Sequence, residues 1–396
     1  MTLREYIEEN WEKTVHFQQK DEDTLIGLPK PYTVPCVGEM FLEMYYWDTY
    51  FTNVGLLVTG REELAKNNTE NQLYLADKFG YMPNGNRTYY LGRSQPPYLA
   101  LMVKDVYEKF GDKEWLSQAL PILKKEYGFW MKDRCRDGLN FYSCQEDPQK
   151  FIEASTSRAE GRMPWLTFDD AVEQGRNIFA ECESGWDFSA RFSQRCTEFY
   201  PVDLNSLLYG YETLFAKFEK ILGISDGKSW EEAAANRKKK MSEIMLGKDG
   251  IWLDYDTKNK KTSDCISCAS FWPYWLGLSE DKSSLKKLFS LLNCEYGISA
   301  AVPHKYAYQW GYPNGWAPLH YGAFCALKKV GLEEEAKETA QKFCALAESN
   351  FERTGRLWEK YNVVSGSTDT VDEYKMPPMF GWTAGVYCAL KESLCR

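Results

Sequence analysis

Between residues 203 and 223 the chain reads DLNSLLYGYETLFAKFEKILG, with apolar side chains at 204, 207, 208, 211, 214, 215, 218, 221 and 222. Spacings of three and four lay these residues along one face of an α-helix, with Asp203 placed to cap its start and Gly223 to end it. The same ending recurs in LLVTGREELAKN, KFGDKEWLSQAL, ILGISDGKSWEEAAAN, LGLSEDKSSLKKLF and KVGLEEEAKETAQKF. In each, a helix closes on glycine and a polar, acid-rich stretch starts the next one, which predicts helical hairpins. The glycines are Gly60, Gly111, Gly223, Gly277 and Gly331, and they recur at about 54 residues with one interval doubled. That period fits one helix pair per unit, with room for about six units from residue 50 onward. The first helix of each pair is apolar and aromatic, and the second, as in EEAAANRKKKMSEIM, is charged. Apolar helices inside and charged helices outside predict an all-α fold, a toroid of six hairpins or (α/α)6 barrel. An open solenoid is the alternative, but it would need matched repeats and capping ends. On this reading the RKKK run from Arg237 to Lys240 is a solvated outer face.

Before the first hairpin, residues 1–35 are expected to form a helix and a strap packed on the barrel, leaving 36–396 as a single catalytic domain. The start, MTLREYIEENWEK, is charged throughout and lacks the apolar core of a secretory signal. The repeat is least regular from 135 to 202, where Pro, Gly, Ser, aromatic and acidic residues mix without a helical period. Long irregular segments inside a compact domain tend to carry function.

The net charge of −9 and pI near 5.2 argue against nucleic acid or an anionic membrane surface as partner, because both would repel the chain at long range. No run of 18 apolar residues occurs. Twelve cysteines are scattered without a framework, which suits free thiols in a reducing cytoplasm. Cys265 and Cys268 form the one CxxC, and with only His16, His304 and His320 besides, zinc is not expected. Aromatic residues make up 15% of the chain, with 14 Trp and 26 Tyr. Many must fill the core, yet flat amphipathic rings also suit stacking against sugars. A small neutral carbohydrate is the partner this composition favours, with no obligatory protein partner evident.

Five stretches outside the predicted helices gather polar and aromatic residues: MFLEMYYWDTYF (40–51), YMPNGNRTYYLGRSQPP (81–97), ESGWDFSARF (183–192), QWGYPNGWAP (309–318), and LWEKYN with DEYKMPPMFGW (357–382). In a ring of hairpins such junctions converge at one end of the inner helices. Singly, each has an ordinary structural explanation. Asn84, Gly85 and Asn86 suit a turn, Trp47 and Asp48 suit core packing beside a helix cap, Glu359 suits a solvent-facing helix end, and Arg93 suits a surface ion pair. Asp187, between Trp186 and Phe188, is either a hydrogen-bonded turn residue or an acid whose proton affinity burial has raised.

Together, YYWDTYF, PNGNRTYYLGRSQPP, ESGWDFSARF, QWGYPNGWAPL, EKY and FGWTAGV stand in the order and approximate spacing of the trehalases of glycoside hydrolase family 37, and the resemblance spans residues 37 to 387. It implies an (α/α)6 barrel and an inverting α-glucoside hydrolase that needs no metal or organic cofactor. Asp187, in the match to SGWD, resembles the general acid that protonates the glycosidic oxygen. Glu359, in EKY, resembles the general base that activates water. An inverting glycosidase requires two such carboxyls about 6.5–9.5 Å apart on opposite faces of the sugar. Phe41, Trp47, Asp48, Asn84, Arg93, Gln95, Gly185, Trp310 and Trp316 resemble the pocket for the glucose whose bond is cut, and Glu373 a further substrate-contacting acid. Arg158 and Glu160 faintly resemble the family's RPES stretch, which would make them substrate-binding residues too.

Departures from the pattern cluster where the family holds the leaving sugar. Met40 stands in place of an arginine and Gly311 in place of an aspartate. Loss of a group that hydrogen-bonds a substrate hydroxyl can cost orders of magnitude in specificity. Trehalose is thus the first substrate to expect, a different α-linked glucose disaccharide or glucosyl conjugate the alternative, and a non-catalytic sugar-binding protein a third reading.

Overall fold

The computed structural model describes residues 1–38, 40–161, 169–371 and 379–395. Its helices, in order, are α1 (Leu3–Asn10), α2 (Tyr46–Leu56), α3 (Glu62–Phe79), α4 (Leu99–Phe110), α5 (Lys113–Asp133), α6 (Pro148–Gly161), α7 (Ala171–Ser184), α8 (Val202–Leu222), α9 (Lys228–Ile244), α10 (Trp272–Trp275), α11 (Lys282–Leu292), α12 (Ala317–Val330), α13 (Glu333–Thr354) and α14 (Gly381–Cys395). Helices α2, α4, α8, α10, α12 and α14 each touch the next, and α14 returns to α2, so six inner helices close a ring. The ring is an (α/α)6 barrel. It closes where Gly55 on α2 meets Gly385 on α14, so tightly that a Cβ on Gly55 would lie 2.3 Å from the Gly385 Cα. Outside stand α3, α5, α9, α11 and α13.

Three of the five glycines that marked the repeat close a helix as expected, while Gly60 and Gly277 lie beyond the caps of α2 and α10, which are Leu57 and Leu276. Gly111, Gly223 and Gly331 cap α4, α8 and α12 in the left-handed conformation. Helix α1 packs on α13, with Tyr6 and Phe351 rings 4.9 Å apart. The strap that follows is stapled to α3: Asn68 Oδ1 accepts the Thr33 N–H (2.9 Å) and Asn71 Oδ1 that of Lys30 (3.0 Å).

Three expectations change. The segment from 135 to 202 contains α6 and α7. Helix α7 escaped the hydrophobic pattern because the face it buries is largely polar, with Gln174, Asn177, Glu181, Glu183 and Ser184 all inward. Within the RKKK run, Arg237 turns inward, 3% exposed, and its guanidinium binds Glu212 (2.9 Å), Asn140 (2.7 Å) and Asn205 (3.1 Å); only the lysines are solvated. Trp47 and Asp48, read as outside a helix, occupy the first turn of α2. All twelve cysteines are free thiols.

Candidate active site

The stretch around Asp187 is fixed on both sides by buried ions. Helix α7 ends at Gly185, φ +72°, where a Cβ would come within 2.7–3.0 Å of the Trp47 indole. Glycine is needed here for its backbone and for its missing side chain. Just before it, the fully buried Glu183 carboxylate accepts the N–H of Ser94 (2.9 Å), the N–H of Ser143 (2.7 Å) and the Arg134 guanidinium (2.9 and 3.1 Å). Just after it, the buried Arg191 binds Asp203 (2.9 Å) and Asp254 (2.8 Å) and lies 4.4 Å from the Trp186 ring centroid. The Phe188 carbonyl accepts the Trp310 N–H (3.2 Å), tying this turn to the 309–316 stretch.

Glu359 arrives from the other side of the ring. Residues Asn314–Trp316 pair antiparallel with Lys360–Asn362, setting Trp316 opposite Lys360. The Glu359 carbonyl accepts from Trp382 Nε1 and Thr383 Oγ1, both at 3.3 Å, so α14 holds its backbone. Its carboxylate, 2% exposed, meets the Lys360 ammonium at 3.0 Å. That ammonium also lies 4.7 Å from the Trp316 ring centroid.

Between them is a cavity of about 160 Å³, smaller than the pockets of drug-sized ligands and of a scale suited to one sugar ring. Its wall brings together Asp187, Glu359, Phe41, Trp47, Asp48, Asn84, Arg93, Gln95, Gly185, Trp310 and Trp316. Trp310 and Trp316 stack face to face at 3.8 Å, and Trp47 and Trp382 pack around them. The Asn84 amide oxygen accepts Arg93 Nε (3.1 Å), and the Gln95 amide oxygen accepts the Trp47 N–H (3.2 Å). Burial, reinforced by the charges of Glu359 and Asp187, pushes the Asp48 carboxyl up to about 8.

Arg158 and Glu160 are not at this wall. Arg158 is buried behind it with its guanidinium 5.3 Å from the Phe188 ring centroid, and Glu160 is exposed on α6. Glu373 lies outside the described residues. Met40 is 40% exposed and, like Gly311, does not line the cavity.

A protein-family model described as trehalase matches residues 2–394. The chain belongs to the trehalase family. The members of this glycoside hydrolase family that it is similar to include a periplasmic trehalase of Salmonella paratyphi A, 34% identical over 100% of this chain and 74% of the relative. Another is a periplasmic trehalase of Xanthomonas oryzae, 33% identical over 97% and 72%. Among solved structures, the neutral trehalase of Saccharomyces cerevisiae superposes with a TM-score of 0.79 at 27% identity, over 99% of this chain and 80% of that one. A mannosylglycerate hydrolase of Thermus thermophilus shares the fold alone, with a TM-score of 0.68 at 15% identity over 98% of this chain and 100% of that one.

Within this trehalase-family cavity, Tyr45, Tyr90, Gln309, Phe380 and Trp382 also line the wall without having been singled out in the sequence. Tyr45 and Tyr90 share a hydrogen bond of 2.7 Å at its edge. Lys360 was visible only as the middle letter of EKY. Glu183 left one signal that could have been used: an acid directly before SGWD on a helix whose inward face is otherwise polar. Among the described residues no cluster of three or more His, Cys, Asp or Glu converges as metal ligands would, and no helix is long and apolar enough to cross a membrane.

Proposed function

We propose that the protein hydrolyses α,α-trehalose to two glucose molecules by inversion, with Asp187 as general acid and Glu359 as general base. The observation that carries this reading is the lining of one small cavity by both carboxyls together with the aromatic and amide groups suited to a glucose ring. Asp187 gives its proton to the glycosidic oxygen as the bond from the anomeric carbon breaks. Glu359 takes a proton from the water that attacks the opposite face of that carbon. One glucose leaves as the α-anomer and the other is formed as the β-anomer. Trp47, Trp310 and Trp316 offer apolar indole surface, Asp48, Asn84 and Gln95 hydrogen-bonding groups, and Arg93 a donor for the hydroxyls.

A second reading keeps the glucose pocket and changes the leaving group. It is favoured by Met40 and Gly311, which carry no charge where the family pattern has an arginine and an aspartate. Glucose release from trehalose and from a panel of α-linked glucosides, beside an Asp187→Asn control, separates the two. Efficient trehalose cleavage lost in the control supports the first; turnover of another panel member alone supports the second. Binding without turnover of any member would leave a sugar-binding protein.

The cytoplasm is the compartment we favour, since all twelve cysteines stand unpaired, many of them buried, although relatives are named periplasmic. Detection of the protein in the periplasmic fraction of its host cell would refute this placement.

A further inference from the structure

One buried acid at the end of α7 is not used by the mechanism above. Glu181 is 1% exposed and does not line the cavity. Its carboxylate instead meets the backbone of the turn that carries Asp187, accepting the Phe188 N–H at 3.3 Å and interacting with the Ser189 N–H. Phe188 needs such a hold, because its φ of +66° lies in the left-handed region that a bulky side chain disfavours. From α6, Arg158 supplies the opposite charge to Glu181 and places its guanidinium against the Phe188 ring. An anion, a cation and an aromatic ring therefore clasp the corner next to Asp187.

We infer that Glu181 is a positioning residue for Asp187: it holds the left-handed corner at Phe188 and, by its charge, favours the protonated form of the neighbouring acid. The inference rests on the reading of Asp187 as general acid. Among the described residues, the charged and titratable groups around Glu181 are Arg158 on α6, Asp187 itself, the Cys182 and Cys196 thiols and the Tyr308 phenol. Those around Asp187 also include Asp48 on α2 and Arg93. Burial pushes the Glu181 carboxyl up to about 7, so it carries its charge at the alkaline end of the pH range, where a general acid loses its proton.

The two contributions separate by substitution. In Glu181→Gln the amide oxygen still accepts the backbone N–H groups but the charge is gone. In Glu181→Ala both are lost. With the α-glucoside the enzyme turns over, Glu181→Gln is expected to keep kcat at acid pH within about threefold. It should also lower the alkaline limb of kcat/KM by about one pH unit, as removal of a neighbouring like charge requires. Glu181→Ala is expected to lose about tenfold or more in kcat with KM within about threefold. Unchanged kcat and an unmoved alkaline limb would overturn the inference, as would a loss confined to KM. If Glu181→Ala fails to fold, the alkaline limb of Glu181→Gln decides alone. Asp187→Asn is measured in parallel. If it remains fully active the reading of Asp187 fails; if it is inactive while both Glu181 variants match wild type, only this inference fails.

Discussion

The Lys360 ammonium stands 3.0 Å from Glu359 Oε2, with the lysine fully buried and the glutamate 2% exposed. A buried pair at the start of a short two-stranded ladder, which Lys360 opens, fixes the direction of a carboxylate, because neither partner can relax into water. Breaking a buried ion pair by removing one partner commonly costs about 3–5 kcal/mol. Lys360→Met should therefore lower kcat on the order of 10²-fold, with a smaller change in KM, and lower the melting temperature. Lys360→Arg should not restore full activity, because the fully buried place of a compact ammonium has no room for the larger guanidinium without displacing its neighbours. Steady-state kinetics beside thermal melts test this, and wild-type kcat in Lys360→Met would sink it.

Gly185→Ala should damage the cavity more than any ordinary glycine substitution. The new methyl would meet the Trp47 indole at 2.7–3.0 Å in a left-handed backbone, which by itself costs about 1–2 kcal/mol. Either Trp47 or the Asp187 turn must shift. A loss of kcat/KM of at least about tenfold is expected, since displacements near 1 Å at a reacting group cost up to about 10²-fold. Tryptophan fluorescence of the free enzyme should change with it. A variant with intact kinetics would show that the wall yields without consequence.

Asp48 carries a pH signature. Its carboxyl ionises near 8 in the folded protein and near 3.9 in an unfolded chain. Between those values the native state holds a proton that the unfolded state has lost, so this group's contribution to stability falls as pH rises through that window and levels off above about 8. Asp48→Asn cannot ionise and escapes the loss. The variant should thus gain melting temperature relative to wild type on going from pH 4 to pH 8, while kcat/KM falls by about 10²-fold or more if Asp48 bonds a sugar hydroxyl. A difference in melting temperature that stays constant with pH would contradict the assignment.

Arg191 anchors the far side of the Asp187 turn through two aspartates, all three buried. Arg191→Met strands Asp203 and Asp254 together and should destabilise the fold by about 3–5 kcal/mol. Lowering the pH should partly rescue it, since protonating one aspartate relieves their repulsion; burial and the Asp203 charge already hold Asp254 above its ordinary value. Denaturant unfolding of the variant at pH 7 and pH 5 checks this, and equal losses at both would refute it.

Local pattern determined the architecture. Apolar spacing, the glycines that follow the inner helices and the charged partner after each are short-range signals, and a ring of six pairs follows from their period. The motif runs likewise carried the family and most of the cavity wall, Asp187 and Glu359 included, because each is a contiguous word in the chain. Helix α7 was not legible, because its buried face is polar and its partners, Ser94, Ser143, Arg134 and Arg158, lie on other elements. Arg158 was placed at the substrate by its neighbours in sequence and stands against Phe188 instead. Arg237 was read as solvated from its neighbours and is drawn inward by Glu212, Asn140 and Asn205. A hydrophobic period records only which way apolar groups face. Where a polar side chain is buried, its direction is set by the partner that satisfies its charge, and that partner is known only once the ring has closed.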